Sequence, residues 1–431
     1  MFHIVFSADE NYIPYTAVLM TSIVQNTDSK KTFKDFCNTE VIHKIFSDFG
    51  KYNFSALSAS SDTNEGYIFH ILSDSVSEQT REKLERLEKS LNQTYPCTIQ
   101  VHIMQECDFE RFPKCGAAHS NYLPYYRLKM DAFLNREVEK CLYLDSDMLV
   151  LFDIRELFAL DLSNKIVAAV GDCGTKNRKI KFVQKGQKKT HFFDENYFNS
   201  GFLLLNAKEY RKEKIEKKCE ELASCCTYIT AADQDLLNAT IPQDKVLKLP
   251  FAYNFQTISF CYAICKDENP NRLNYTRAEF TKSFKSPKIL HFGEKPWKYL
   301  KSYLDSEGRN ISALWWDYAA KTPAFGQELL AGKEKAQDYL IQAGLGAEAL
   351  EHYKSLFGIF KICSLIANPQ EDLKVLRSAN RIPDEAFGLC LIVGEMIFYA
   401  RRRKRGAFSV LLKIHKVQKA FLKYHHLSRV E

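Results

Sequence analysis

The segment Lys140-Cys-Leu-Tyr-Leu-Asp145-Ser-Asp147-Met-Leu-Val-Leu-Phe152 places two aspartates between two apolar runs. Such short apolar runs are typical of buried strands. Because the side chains of an extended segment alternate between its two faces, Asp145 and Asp147 are expected to point the same way. Two carboxylates at the end of a buried strand are costly unless a cation or a basic partner lies between them. The segment therefore predicts a divalent-metal site with oxygen ligands.

Alternating strand and helix patterns surround this segment. A strand pattern at 2–7 is followed by Pro14, which fits the first turn of a helix. A charged helix at 78–91 carries Leu84, Leu87 and Leu91 on one stripe. Further strands are predicted at 67–72, 98–103 and 166–170, and residues 197–206 are predicted to form a turn that leads into a buried strand. Further helices are predicted at 209–223, at 233–238 and in the second half of 119–134. The alternation predicts an α/β fold with a mixed, mostly parallel sheet flanked by helices.

Two stretches lack this regular pattern. Residues 28–66 mix polar residues with short apolar pieces, and we interpret them as an insertion. Residues 174–191 are basic and are predicted to form a loop. The pattern becomes helical towards the C-terminal end. We therefore predict one α/β domain at 1–318, interrupted by the insertion, and a helical C-terminal region at 319–431.

The positive charge is concentrated at the C-terminal end. The formal net charge is +7, yet residues 398–431 hold ten Lys/Arg against one acidic residue, so the rest of the chain is slightly acidic. One helical face beyond the basic run 401–405 is apolar and consists of Val410, Ile414, Val417, Phe421 and Tyr424. This basic amphipathic helix is expected to bind an anionic membrane surface, or alternatively to lie against the main domain. A charge confined to the tail argues against a nucleic-acid partner.

Several features point to a cytoplasmic protein. Met1–Ser7 has the pattern of a strand, without the basic start or the cleavage site of a secretory signal. The apolar stretch Phe387–Ala400 is too short to span a membrane and contains Glu395. The 13 cysteines are odd in number and include no Cys-x-x-Cys pattern, which fits free thiols in a reducing compartment. With the basic tail, the expected location is peripheral, on the inner face of the cytoplasmic membrane.

Four short motifs occur in the order in which they occur in a known enzyme family. They are Ser7-Ala-Asp9-Glu-Asn11-Tyr12, Tyr143-Leu-Asp145-Ser-Asp147, Tyr197-Phe-Asn199-Ser-Gly201 and His291-Phe-Gly293-Glu-Lys295-Pro-Trp297. Tyr126-Arg127-Leu128 and Asp233-Gln234 also match. Each motif is weak alone, and a second Asp-x-Asp occurs at Asp233-Gln-Asp235. The ordered set, over roughly residues 1–318, resembles the glycosyltransferases of family 8. That family includes bacterial lipopolysaccharide α-glucosyl- and α-galactosyltransferases and glycogenin.

The resemblance implies a Rossmann-like GT-A fold and the transfer of glucose or galactose from a UDP-sugar with retention of the anomeric configuration. The acceptor it implies is a glycan or glycolipid such as a lipopolysaccharide or lipooligosaccharide core. It implies Mn²⁺, with Mg²⁺ as the other candidate, held by Asp145, Asp147 and His291. It gives Asp233 and Gln234 a catalytic role at the donor sugar. The donor-binding residues that it implies are Ser7, Ala8, Asp9, Asn11, Tyr12, Arg127, Asp145, Ser146, Asp172, Asn199, Ser200, Gly293 and Lys295.

The chemistry of such a transfer agrees with these residue types. The UDP leaving group gains negative charge as the bond to the sugar breaks, and a metal ion together with Lys295 would neutralise it. An imidazole ligand favours Mn²⁺ over Mg²⁺, because nitrogen is a poorer ligand for magnesium. The loop from His291 to Lys295 is shorter by about two residues than is usual in the family, so Gly293 and Lys295 depart from the family spacing while His291 matches it.

Other interpretations of these residues stay open. The first aspartate pair could lie in a solvated turn, and His291 could be an ordinary core histidine. Asn199–Gly201 could be only a turn, and Asp233-Gln234 could cap a helix. An aspartate pair also suits a metal-dependent nucleotidyltransferase or phosphohydrolase, and a non-catalytic carbohydrate-binding protein is a third alternative.

Overall fold

The computed structural model of this chain describes residues 1–49, 52–58, 65–113, 122–174, 178–257, 274–293, 295–299 and 311–342. The chain divides into two compact units, and the larger one consists of Met1–Thr257, Asn269–Gly293 and Trp315–Leu330. The basic helix expected to bind a membrane lies outside the described residues. The domain boundary near residue 318 stays a prediction.

The strands in the described residues are Phe2–Ser7 (β1), Tyr67–Ser73 (β2), Cys97–Ile103 (β3), Lys140–Leu144 (β4), Met148–Val150 (β5), Val167–Gly171 (β6), Lys179–Gln184 (β7), Gln187–Phe192 (β8), Phe198–Asn206 (β9), Cys226–Tyr228 (β10), Val246–Leu249 (β11), Phe255–Gln256 (β12) and Ile289–His291 (β13). The strands predicted at 2–7, 67–72, 98–103, 166–170 and within 197–206 are all present.

The α-helices in the described residues are Ile13–Gln25 (α1), Thr39–Phe46 (α2), Glu78–Leu91 (α3), Arg155–Phe158 (α4), Ala207–Lys212 (α5), Ile215–Ser224 (α6), Ala232–Thr240 (α7), Arg277–Lys285 (α8), Pro296–Tyr299 (α9), Ile311–Lys321 (α10) and Gly326–Gln342 (α11). Short 3₁₀ helices lie at Phe33–Asp35, Ser47–Phe49, Glu106–Phe109, Leu123–Ala132, Gln243–Lys245 and Phe251–Asn254.

A seven-stranded sheet in the larger unit has the order β11-β6-β9-β4-β1-β2-β3. Neighbouring strands pair in parallel from β4 through β1 and β2 to β3, and β11 pairs in parallel with β6. Strand β9 runs antiparallel to both of its neighbours, β4 and β6. The predicted mixed, mostly parallel sheet is therefore confirmed. Strand β6 is buried throughout, as expected for a strand covered on both faces.

The first strand–helix unit forms as the sequence predicts. Helix α1 follows β1 after a short loop and has Pro14 in its first turn, where a missing N–H costs nothing. Helix α3 begins after Ser77, whose hydroxyl accepts a hydrogen bond from the Thr80 N–H. Its leucine stripe is buried. Between these helices, residues 28–66 contain α2 and two short 3₁₀ helices, and their interpretation as an insertion stays a prediction.

The predicted loop at 174–191 is wrong, because β7 and β8 form an antiparallel hairpin there. The hairpin turns at Lys185 and Gly186, which have φ values of 51° and 75°. Strand β10 pairs with the edge of β7 that does not face β8. Every residue of β8 is exposed, so the strand has no apolar alternation from which it could have been predicted.

Two predicted helices also differ in detail. The helix predicted at 209–223 is split into α5 and α6, because Lys214 adopts the left-handed conformation with φ 54° and ψ 43°. The helix predicted in the second half of 119–134 is present, but it is the 3₁₀ helix Leu123–Ala132.

Neither membrane-spanning segments nor disulfide bonds are found in the described part of the chain. No helix there combines the length and the apolar character needed to cross a bilayer. The cysteines there are free thiols, at positions Cys37, Cys97, Cys107, Cys141, Cys173, Cys219, Cys225 and Cys226.

Three histidines form a hydrogen-bonded ladder across β1, β2 and β3. His3 Nδ1 lies 3.0 Å from His70 Nε2, and His70 Nδ1 lies 3.0 Å from His102 Nε2. Burial lowers the pKa of His3 to about 4, with a smaller effect from the N-terminal charge. Burial, with the two neighbouring imidazoles, lowers the pKa of His70 to about 3. The ladder is therefore neutral at pH 7.

We expect this ladder to make the fold sensitive to acid. A histidine whose pKa is lowered by folding takes up protons mainly in the unfolded chain, so stability falls as the pH drops from about 6.5 towards 4 to 3. His70→Gln keeps a donor and an acceptor but cannot be protonated in this range. The loss of unfolding free energy between pH 7 and pH 4.5 should therefore be smaller by about 1–2 kcal/mol in this variant.

Chemical denaturation at several pH values measures this difference. His43→Gln makes the same change at an exposed position and is the matched control. An equal loss of stability in the His70 variant and in the wild type would contradict the prediction.

Candidate active site

The two aspartates of the first segment lie in a tight turn between β4 and β5. The Asp145 N–H donates to the Gly201 carbonyl at 2.8 Å, and the Met148 N–H donates back to the Asp145 carbonyl at 3.2 Å. The prediction that the backbone is extended from Asp145 to Asp147 is therefore wrong. The turn brings the carboxylates of Asp145 and Asp147 to one side instead.

His291 is delivered to the same turn by strand pairing. It ends β13, which runs antiparallel to β5 and places His291 opposite Met148. The Phe292 N–H donates to the Asp147 carbonyl at 2.9 Å. As a result, His291 Nε2 lies 3.4 Å from Asp147 Oδ1 and 3.8 Å from Asp145 Oδ2. The three predicted metal ligands thus converge, with one ligand atom from each within 4.8 Å of the others.

The space among these three side chains fits a metal ion. Ligands about 2.1 Å from a dication lie roughly 3–3.5 Å from one another, and His291 Nε2 lies 3.4 and 3.8 Å from the two carboxylate oxygens. Gly201 also leaves room, because a Cβ there would lie 2.6 Å from Asp145 Oδ2 and 2.7 Å from His291 Cε1. Two carboxylates and an imidazole suit a first-row divalent metal.

Arg127 is buried beneath this cradle and joins it to Asp233. Its Nη2 lies 2.8 Å from Asp145 Oδ1, and its Nε lies 3.1 Å from Asp233 Oδ2. Its Nη1 donates to the Ser200 carbonyl at 2.7 Å, and the guanidinium lies 4.4 Å from the centre of the Tyr143 ring. Burial lowers the pKa of Arg127, but the two carboxylates outweigh it and raise the pKa above its usual value.

Asp233 is one of the two residues for which the resemblance implies a catalytic role. It is 4% exposed. Burial raises its pKa to about 6, against the opposing effects of the Arg127 charge and a hydrogen bond with Ser200. The Arg127 Nε–H points at the Pro124 carbonyl, so Asp233 Oδ2 has an ion pair but no hydrogen bond in the described structure.

Gln234, the other predicted catalytic residue, lies in a buried amide network. Its Oε1 accepts from the Ser200 N–H at 3.0 Å and from Asn199 Nδ2 at 3.1 Å. Its Nε2 donates to Asp172 Oδ2 at 3.0 Å. Helix α7 has no side-chain cap at its first residue, and the N–H groups of Thr230 and Ala231 before it donate to Asp235 Oδ2. Helix capping therefore does not explain the side chain of Gln234.

The N-terminal motif forms the loop between β1 and α1. Ala8 is buried, Asn11 is exposed, and Asp9 Oδ1 accepts from the Tyr12 N–H at 2.9 Å. Glu10 turns away and accepts hydrogen bonds from Ser77 and Thr80 at the start of α3.

The two predicted serines of this region hold the strand ends together. The Ser146 hydroxyl donates to the Ser7 carbonyl at 2.9 Å and accepts from the Thr16 hydroxyl. Ser7 is buried at the end of β1. These hydrogen bonds connect β1 and α1 to the turn at Asp145–Asp147.

The loop after β13 contains the last two predicted donor-binding residues. Gly293 is exposed, and its N–H donates to the His291 carbonyl at 3.1 Å. Lys295 is half-buried and belongs to the smaller compact unit. Their donor-binding roles stay predictions.

Asn254 is a site residue that we did not predict. It is fully buried, with Oδ1 at 2.9 Å from His291 Nδ1 and Nδ2 donating to Asn199 Oδ1 at 2.9 Å. The available signal was the placement of two amides, Asn254 and Gln256, among aromatic residues in the stretch Phe251–Thr257. A polar side chain in such a run needs a buried partner.

Comparison with known proteins identifies the family. A model of glycosyl transferase family 8 matches residues 3–301. The chain belongs to this family. General stress protein A of Bacillus subtilis is 25% identical over 304 residues, which are 68% of this chain and 87% of that protein.

Two relatives within the family have named lipopolysaccharide activities. The lipopolysaccharide 1,2-glucosyltransferase of Escherichia coli is 24% identical over 59% of this chain and 62% of its own length. The lipopolysaccharide 1,3-galactosyltransferase of Salmonella typhimurium is 26% identical over 44% of this chain and 56% of its own length. The chain therefore matches less than two thirds of either enzyme.

The fold also has solved counterparts. The apo structure of the bifunctional glycosyltransferase WbbM superposes with a TM-score of 0.53 at 21% identity, over 77% of this chain and 51% of that one. The expected GT-A fold is confirmed.

Gly201 provides a test of the cradle. In Gly201→Ala the new methyl group would lie within 2.9 Å of the Asp145 carboxylate, the His291 ring and Asn199 Oδ1, so these groups must shift, while the extended backbone accepts alanine. Because Arg127 and Tyr143 hold the other oxygen of Asp145, we expect affinity for Mn²⁺ to fall by about tenfold or more with little loss of stability.

Calorimetric titration with Mn²⁺ and thermal unfolding measure the two effects. Gly332→Ala is the matched control, because a Cβ at Gly332 meets no atom within 4 Å. Wild-type Mn²⁺ affinity in Gly201→Ala would show that the ion does not bind in this cradle.

Proposed function

We propose that the chain is a metal-dependent, retaining hexosyltransferase that moves glucose or galactose from a UDP-sugar to a sugar hydroxyl of a glycan or glycolipid. Family membership and the two lipopolysaccharide enzymes among its relatives support this proposal. The proposed acceptor is a lipopolysaccharide or lipooligosaccharide core. The proposed location is the inner face of the cytoplasmic membrane, reached through the basic tail helix.

The observation that carries the proposal is the convergence of Asp145, Asp147 and His291 beside the hydrogen-bonded network of Gln234. A divalent cation held there, Mn²⁺ in our proposal and Mg²⁺ as the other candidate, would neutralise charge on the departing diphosphate. Asp145 offers one oxygen to this site because its other oxygen is taken up by Arg127 and Tyr143.

The donor is proposed to lie across the carboxyl ends of β1 and β4, the edge at which open α/β sheets bind ligands. Asp9, Asn11 and Tyr12 would contact the uracil and the ribose. Gly293 and Lys295 would contact the diphosphate. This assignment follows the family pattern of the motifs.

The sugar is proposed to lie against Asp172, Asn199, Asp233 and Gln234. In the proposed same-face reaction, the acceptor oxygen bonds to the anomeric carbon while the bond from that carbon to the phosphate oxygen breaks. The acceptor proton passes to the departing phosphate. The four side chains orient the sugar and exclude water.

Metal-dependent UDP release is the direct test. With Mn²⁺ present, UDP-glucose or UDP-galactose should be hydrolysed slowly without acceptor, and a chelator should abolish this activity. Asp147→Asn should lower the rate by roughly 100-fold or more, because it removes an anionic metal ligand. Asp108→Asn, the same change at an exposed position, is the control.

The same assay separates the alternative enzyme classes. Turnover of a nucleoside triphosphate or a phosphoester, with no UDP released from either sugar nucleotide, would contradict the proposal in favour of a nucleotidyltransferase or phosphohydrolase.

A second test concerns Gln234. Gln234→Ala removes the acceptor of the Ser200 N–H and the donor to Asp172, so the sugar pocket loses its alignment. We expect kcat for UDP release to fall by about tenfold or more while Mn²⁺ affinity stays near the wild-type value. Unchanged turnover would remove Gln234 from the catalytic assignment.

A further inference from the structure

A chain of hydrogen bonds runs from backbone groups of β9 to the imidazole of His291. The Gly201 N–H donates to Asn199 Oδ1 at 3.0 Å. A backbone N–H can only donate, so the Asn199 atom at this position is the oxygen. The orientation of the Asn199 amide is therefore fixed by the main chain.

The second amide follows from the first. Asn254 contacts Asn199 Oδ1 at 2.9 Å, and only its NH₂ group can donate to that oxygen. Its own oxygen must then face His291 Nδ1 at 2.9 Å. An amide oxygen only accepts, so His291 carries its proton on Nδ1.

The contact of Asn199 with Gln234 gives the same orientation of the Asn199 amide. Asn199 Nδ2 donates to Gln234 Oε1, and that oxygen is identified independently because it also accepts from the Ser200 N–H. The backbone N–H groups of Ser200 and Gly201 thus each identify the oxygen of one amide, and the two assignments agree. The fully buried Asn254 side chain has little freedom to adopt another arrangement.

We propose that Asn254 is a positioning residue that fixes the tautomer and the ring orientation of His291. A neutral imidazole protonated on Nδ1 has its lone pair on Nε2, the atom that faces Asp145 and Asp147. The imidazole is thereby prepared as a metal ligand before any metal binds, which lowers the cost of binding.

The same network joins the metal cradle to the sugar pocket. Asn254 contacts Asn199, Asn199 contacts Gln234, and Gln234 donates to Asp172. A change in the position of Asn254 would therefore affect both the metal ligands and the side chains proposed to bind the sugar. This inference rests on the proposed function only for the identity of the ligand, a divalent cation, and its tests do not require sugar transfer.

The first test needs no variant. ¹⁵N NMR of metal-free protein labelled at histidine distinguishes an imidazole protonated on Nδ1 from one protonated on Nε2, and the His291 signals are assigned by their loss in His291→Gln. We expect the Nδ1–H form for His291 at pH 8. An Nε2–H form in the wild-type protein would overturn the proposal.

The second test compares metal affinities. Asn254→Leu, of similar size, removes the acceptor of the Nδ1–H, and we expect the affinity for Mn²⁺ to fall by about 10- to 100-fold and the Nδ1–H signature to be lost. Asn254→Asp keeps an acceptor for Nδ1–H and should restore most of the affinity. Gln256→Leu is the matched control, since it removes a nearby buried amide that bonds to the Gly171 carbonyl and the Cys173 N–H.

Wild-type Mn²⁺ affinity in Asn254→Leu would contradict the role of Asn254. The failure of this inference is distinct from failure of the proposed function. If Asp147→Asn abolishes Mn²⁺ binding while Asn254→Leu preserves it, only the positioning role is wrong. If Asp147→Asn itself binds Mn²⁺ normally, the metal site of the proposed function is wrong.

Discussion

The site depends on the ion pairs that the buried guanidinium of Arg127 makes with Asp145 and Asp233. The guanidinium lies between Asp145 and Asp233, 2.8 Å from Oδ1 of the first and 3.1 Å from Oδ2 of the second, so that one buried cation pairs with both carboxylates. Loss of one partner from such a buried pair typically costs about 3–5 kcal/mol, because an uncompensated charge stays behind. The contact also has a geometric consequence. By occupying Oδ1 of Asp145, Arg127 directs Oδ2 towards His291.

Strand β9 explains why the metal cradle lies beside the side chains proposed to bind the sugar. Because β9 runs antiparallel to β4 and β6, its first residues lie at the edge where those two strands end. Asn199, Ser200 and Gly201 therefore reach the site from the beginning of a strand, whereas Asp145 and Asp172 reach it from the ends of strands. The backbone N–H groups of Ser200 and Gly201 then orient the buried amides from a rigid element.

The sequence was sufficient to predict the parts of the fold that depend on local chemistry. The buried strands and the leucine stripe of α3 are encoded by apolar periodicity, and Ser77 and Pro14 by their preference for helix starts. Strand β8 was missed because both of its faces are exposed, and the break at Lys214 because a lysine in the left-handed region has no local signal. The three metal ligands were found by motif, but the turn that brings Asp145 and Asp147 together was not. Asn254 was missed because its partners, Asn199 and His291, are distant in sequence.

The way in which the buried amides are satisfied also bears on the chemistry of transfer. Both lone pairs of Gln234 Oε1 are engaged, by the Ser200 N–H and by Asn199 Nδ2, so this oxygen is a poor nucleophile. The carboxylates in the described part of the pocket are also committed, since Asp233 pairs with Arg127 and Asp172 accepts from Gln234 and from the Gly174 N–H. Retaining hydrolases need two carboxylates about 5–5.5 Å apart across the scissile bond, one of them available as a nucleophile. Side chains held in this way would instead fix the position of a sugar, as the proposed reaction requires, in which the departing phosphate accepts the proton.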